Sequence, residues 1–80
     1  MIVLLKHDPA ATTRAEHQAA VRAAKQRVLP PLRLLTCEWL AKVTHDTEDS
    51  LLTIHVITRE PLPPSCVEAI RRLPDVAWTA

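Results

Sequence analysis

Apolar residues along the chain are spaced in three ways, as a continuous run, with a period of 3.6 and with a period of two, and each spacing predicts a kind of element. Ile2-Val3-Leu4-Leu5 is a continuous, partly β-branched run that stops at the turn signal Asp8-Pro9. Such a run predicts a central strand buried on both faces. From Thr12 to Leu29 the chain is rich in Ala, Arg, Gln, Glu and Lys, which favour helix. Thr12 or Thr13 can cap its start, and Pro30-Pro31 predicts its end. On a period of 3.6 residues, His17, Ala20, Val21, Ala24 and Val28 share one face. Arg14, Gln18, Arg22 and Lys25 form a separate polar stripe.

Leu32 to Asp46 reads as alternation. Leu35, Cys37, Trp39, Ala41 and Val43 fall on one side, with Leu34, Thr36, Glu38, Leu40, Lys42 and Thr44 on the other. A period of two predicts a long strand with one face in the core. His45 to Ser50 is a polar turn in which Asp46 or Asp49 can stand in for glycine in the left-handed region. Leu51 to Arg59 predicts the returning strand of a hairpin, with Leu52, Ile54, Val56 and Thr58 on one side. After Pro61, Pro63 and Pro64, Ser65-Cys66-Val67-Glu68 fits a capping box. The short helix behind it buries Val67, Ile70 and Leu73, exposes Arg71 and Arg72, and stops at Pro74-Asp75. Val76 to Thr79 predicts a last strand.

The order β-α-β-β-α-β over residues 1–80 predicts a single α+β domain of ferredoxin-like βαββαβ architecture. Its four-stranded antiparallel sheet would carry two helices on one face. The expected strand order is 4-1-3-2. No helix then remains for the second sheet face. Leu34, Leu40, Leu51 and Ile57 are expected there, with Ile2 and Leu4 or Val3 and Leu5. Burying such side chains is worth on the order of 1.5–3 kcal/mol each. Exposed apolar patches of this kind mark contact surfaces. A homodimer or a neighbouring domain is therefore the expected partner. The alternative is that Thr36, Glu38, Lys42, Thr53, His55 and Arg59 dilute the patch enough for a monomer.

Composition narrows the chemistry. The 80 residues contain no glycine, which argues against phosphate-binding loops whose backbone must approach the ligand closely. The core is aliphatic, because Trp39 and Trp78 are the only aromatic side chains of the Phe, Trp and Tyr group. A net charge of +1 gives no general field for DNA, RNA or anionic lipid. No apolar run is long enough to cross a membrane. Cys37 and Cys66 are too few for a disulfide scaffold and are expected to be buried thiols in a reducing, cytoplasmic setting. Cys66 opens a helix and is the more reactive candidate. None of His7, His17, His45 and His55 has metal-ligand spacing, and neither metal nor cofactor is expected. His17 is expected at the helix boundary, and His45, Asp46, Glu48 and Asp49 read as a solvated turn.

Leu4-Leu5-Lys6-His7-Asp8-Pro9, leading into a helix, resembles an ACT-like regulatory domain. Such domains have an Asp and a Pro-Gly in that first loop. Here Asp8-Pro9-Ala10 lacks the glycine associated with amino-acid binding, which favours an assembly role. The stretch from Val67 to Trp78 is similar to the close of the soluble C-terminal domain of MgtC/SapB membrane proteins. These resemblances imply a non-catalytic regulatory or oligomerisation module. A small ligand would sit near His7, Asp8 and Thr12, where the first helix begins, at a dimer seam. Two other readings stay open. One is a small dimeric α+β-barrel enzyme using His55 as acid or base. The other is an RNA-binding module using the stripe of Arg14, Arg22 and Lys25.

Overall fold

The computed structural model covers Met1–Ala80 and shows six elements. They are β1 (Ile2–Leu5), α1 (Arg14–Thr36), β2 (Leu40–Thr44), β3 (Thr53–Thr58), α2 (Pro64–Arg71) and β4 (Val76–Thr79). The sheet is antiparallel, with order β2-β3-β1-β4. This is the expected ferredoxin-like arrangement. β1 lies between β3 and β4, and both hairpin-forming and C-terminal outer strands are short.

The core forms where the sheet meets the helices. Val3 and Leu5 of β1, Ile54 and Val56 of β3, Val28 and Leu32 of α1 and Ile70 of α2 are all buried there. β1 is central but buried on one face only. Ile2 and Leu4 remain 41% and 37% exposed.

α1 begins as its sequence indicates. The Thr13 hydroxyl accepts a hydrogen bond from the Glu16 backbone N–H (3.1 Å) and donates to the Glu16 carboxylate (3.0 Å). It does not end as expected. Pro30 and Pro31 lie inside the helix, which continues to Thr36. Each proline removes one backbone donor, at a cost of about 3 kcal/mol relative to alanine. Leu32, fully buried one turn beyond Val28, offsets that cost, as does the Thr36 hydroxyl, buried and donating to the Leu32 carbonyl at 2.8 Å. The predicted long strand from Leu32 is therefore helix up to Thr36. Cys37 caps the helix and is exposed rather than buried.

Two irregularities set which side chains face out. The β2–β3 register shifts between Leu40 and Lys42, with Leu40 opposite Thr58 and Lys42 opposite Ile57. Leu40 therefore packs against the core instead of the open face. The β1–β4 register shifts so that Leu4 faces Trp78 while Leu5 faces Val76. The shift accounts for Val76 being buried while Trp78 is 61% exposed. α2 also departs from expectation at its start. Pro63 is the cap residue and no side chain caps the helix; the Cys66 and Val67 N–H groups bond to the Pro63 carbonyl instead of to Ser65.

Candidate functional site

The sheet face away from the helices leaves several large apolar side chains exposed. Cross-strand pairing arranges it in rows. Thr44, His55 and Ile2 form the middle row across β2, β3 and β1. Thr53, Leu4 and Trp78 lie on one side of it, and Lys42 and Ile57 on the other. Ile2, Leu4, Ile57 (50%) and Trp78 are the exposed large apolar groups of this face. Of the four residues expected here, Ile57 is the one that the strand pairing places on this face. Leu34 is on the last turns of α1 at 77% exposure, Leu51 precedes β3 and is exposed, and Leu40 has turned inward. Of the two pairs that β1 could offer, it is Ile2 and Leu4 that lie here, and Trp78 joins them. Trp78 was legible only if the register shift in β4 could be foreseen.

His7 and Asp8 come together in the loop after β1, in a pocket of about 270 Å³ that also takes in Lys6, Arg27 and Asp75 over a floor of alanines from α1. Thr12 does not line it. The Asp8 carboxylate accepts from the Ala10 N–H at 2.9 Å, and the His7 ring stacks on His17 with centroids 6.0 Å apart. Arg27 grips Asp75 through two hydrogen bonds of 3.0 and 2.9 Å. That grip holds the Asp75 carboxyl below the usual carboxylate range and raises the guanidinium. Two of the pocket's charges, Arg27 and Asp75, are thus already paired with each other. The pocket lies on the helix side of the sheet, away from the open face.

A second concavity, of about 640 Å³, runs between the end of α1 and α2, where Pro31, Leu34, Leu35, Ala69 and Leu73 meet a rim that includes Arg72.

The polar turn between β2 and β3 is not simply solvated. Lys25 on α1 is buried and donates to the Asp46 carboxylate (2.7 Å), the Asp46 carbonyl (3.0 Å) and Asp49 (3.4 Å). Arg22 donates to the other Asp49 oxygen at 2.9 Å. The bond from Lys25, aided by Ser50 and working against burial, holds Asp46 far below the usual carboxylate range. Arg22 first, then Lys25, lowers Asp49. Asp49 is also the residue with positive φ (53°), the glycine substitute that the turn needs. His17 adds a contact from its Nε2 to the Ser50 carbonyl at 3.0 Å. The network pins the hairpin loop to α1. It also occupies Arg22 and Lys25, leaving Arg14 as the one charged member of the stripe without an ion-pair partner.

Cys66 is buried, and its thiol donates to the Leu35 carbonyl at 3.0 Å. Burial raises its pKa, the reverse of activation. No three of the His, Cys, Asp and Glu side chains gather closely enough to hold a metal ion. No helix is long and apolar enough to cross a membrane. Compared with family models, curated proteins and solved structures, the chain matches none.

Proposed function

We propose that this domain is a non-catalytic assembly module of the regulatory, ACT-like kind, pairing with a second copy through its open sheet face. The observation that carries the reading is the exposure of Ile2, Leu4, Ile57 and Trp78 on a face that none of the chain's own elements covers. The size of the face suits a second copy. Four strands about 4.8 Å apart and about 17 Å long present roughly 300 Å² in projection. Side-chain relief raises this to about 500–600 Å² of accessible surface per copy, so a pair buries about 1,000 Å², near the lower bound for a specific interface.

Energetics favour a reversible pair. Covering the exposed half of four such side chains contributes about 4 kcal/mol per copy. The roughly 8 kcal/mol from both copies exceeds the lowest estimates of the cost of association, about 4 kcal/mol. The surplus of about 4 kcal/mol corresponds to a weak, concentration-dependent dimer in the millimolar range. The pocket beside His7 and Asp8 opens on the helix side. A small ligand bound there would act on the pairing from behind the sheet, outside the seam.

Light scattering without a column, from about 50 µM to 2 mM, tests the pairing. The expected result is a mass that rises towards a dimer. Ile2→Lys, at the centre of the face, should stay monomeric with an unchanged circular dichroism spectrum. A wild-type mass that stays at 9.0 kDa throughout, or an Ile2→Lys variant that pairs equally well, defeats the proposal.

A further inference from the structure

We infer that the groove between the end of α1 and α2 binds a single amphiphile, an alkyl chain of about eight to ten carbons that ends in a carboxylate. The site belongs to the helix layer and is independent of the pairing proposed above.

The groove follows from the residues that two helices turn towards each other. Beyond Pro30, α1 presents Pro31, Leu34 and Leu35, at the helical spacing of three and four. From the other side Ser65, Ala69 and Leu73 follow at intervals of four along α2 and its closing turn. Ala69 is the small member of that row. Its methyl leaves open the space that a larger side chain would fill. Leu34, 77% exposed, stands beside that space without filling it. The result is a trough of about 640 Å³, within the range of small-molecule sites.

Length and charge narrow the ligand. Ser65 and Arg72 are seven residues apart, about 10.5 Å along the axis of α2 and its closing turn. An extended chain of eight to ten carbons has about that length. Glu68 and Arg72 are the charged groups of the lining. The Glu68 carboxylate lies 3.9 Å from the Arg71 guanidinium and 3.6 Å from the Nε of Arg72. Arg71 is tethered, because its Nε donates to the Thr79 hydroxyl at 2.8 Å. Arg72 is 79% exposed, and its pair with Glu68 leaves both terminal nitrogens to hold a carboxylate as a fork. One acid between two bases leaves a positive surplus at the rim, which selects an anionic head over a cationic one. Charge at one rim with an otherwise apolar trough suits one head and one tail.

An open trough covers about half of each methylene, so each adds about twofold to affinity until the trough is full. Decanoate should therefore bind about fourfold more tightly than octanoate, and dodecanoate little more tightly than decanoate. For decanoate a dissociation constant of about 0.1 mM is expected.

The experiment titrates the full chain, at about 50 µM, with the three carboxylates below their micelle concentrations. Backbone amide shifts in the NMR spectrum report both affinity and place. Saturable shifts at Ala69, Arg72 and Leu73, with the stated dependence on chain length, are expected. Arg72→Glu, an exposed change, should weaken decanoate about fivefold and prefer decyltrimethylammonium to decanoate. The inference is overturned by the lack of any saturable shift with decanoate up to about 2 mM. Decanoate binding that is unchanged in Arg72→Glu, or shifts that gather at Ile2, Leu4 and Trp78 on the sheet, overturn it as well. So does binding to vesicles of anionic phospholipid alone, or movement of the groove amides on dilution of the protein by itself, which gives the groove to a second copy.

Discussion

Replacing Pro30 with alanine should stabilise this protein. Pro30 lies inside α1, exposed, with more than a helical turn still to follow. Its ring removes the N–H that would bond the Gln26 carbonyl and crowds that carbonyl as well. Alanine at an interior helix position is favoured by about 3 kcal/mol. Proline's stiffening of the unfolded chain returns up to about 1 kcal/mol. The net gain is about 2 kcal/mol, because an exposed ring gives up little packing. In a domain of this size, 1 kcal/mol moves the melting temperature by about 4–8 °C, so a rise of roughly 10 °C is expected. Pro31 is a less clean site, since it is half-buried and lines the groove between α1 and α2. Thermal unfolding followed at 222 nm is the assay. An unchanged or lowered midpoint for Pro30→Ala would refute the reasoning, because it would mean that the chain leaves the helix at the prolines.

Two more outcomes follow from the side-chain chemistry. Asp46, Asp49 and Asp75 all have folded-state pKa values lowered by Lys25, Arg22 and Arg27. Their stabilisation is fully present above the ordinary carboxylate range, near pH 4, and is lost as pH falls below it. The urea midpoint should drop between pH 6 and pH 3, and Asp46→Asn should flatten that drop; a wild-type midpoint that does not change with pH contradicts the network. Of the two thiols, Cys37 should react at once with an aromatic disulfide reagent and Cys66 only on unfolding, so Cys37→Ser should leave no rapidly titrating thiol.

Much of the fold was legible because the relevant signals are local. The unbroken apolar run of β1, the period of two in β3 and the Thr13 cap each follow from neighbouring residues. The helix continuation was legible as well, though masked. Val21, Ala24, Val28, Leu32 and Thr36 keep helical spacing straight across Pro30-Pro31. A stop rule based on two residues outweighed a pattern spread over sixteen. What decides the matter is the long-range burial of Leu32, which no local window contains. The open face shows the same limit. A register shift in each outer strand moved Leu40 inward and Trp78 outward. Such shifts are settled by pairing between distant segments, so a strict alternation misplaced Leu40 and gave no side for Trp78. The Lys25 network was missed for a related reason. Lys25 on a helix and Asp46 in a turn looked like two solvated charges until the hairpin was folded against α1.

The placement of charge also separates self-pairing from the RNA reading of the same fold. An open sheet with an exposed Trp78 could offer a base something to stack on. Binding a polyanion needs several free cations, since affinity comes mainly from neutralising phosphates. The strands of this face supply one, Lys42, with Arg59 just beyond β3. The helix stripe cannot make up the difference, because Asp46 and Asp49 already hold Lys25 and Arg22. With one or two phosphates neutralised, binding would be weak and only shallowly dependent on salt. The same scarcity of charge favours a second copy, whose approach desolvates one lysine per face and otherwise joins apolar and hydroxyl groups. The feature that makes this surface poor for RNA is therefore the one that suits it to the proposed pairing with its own likeness.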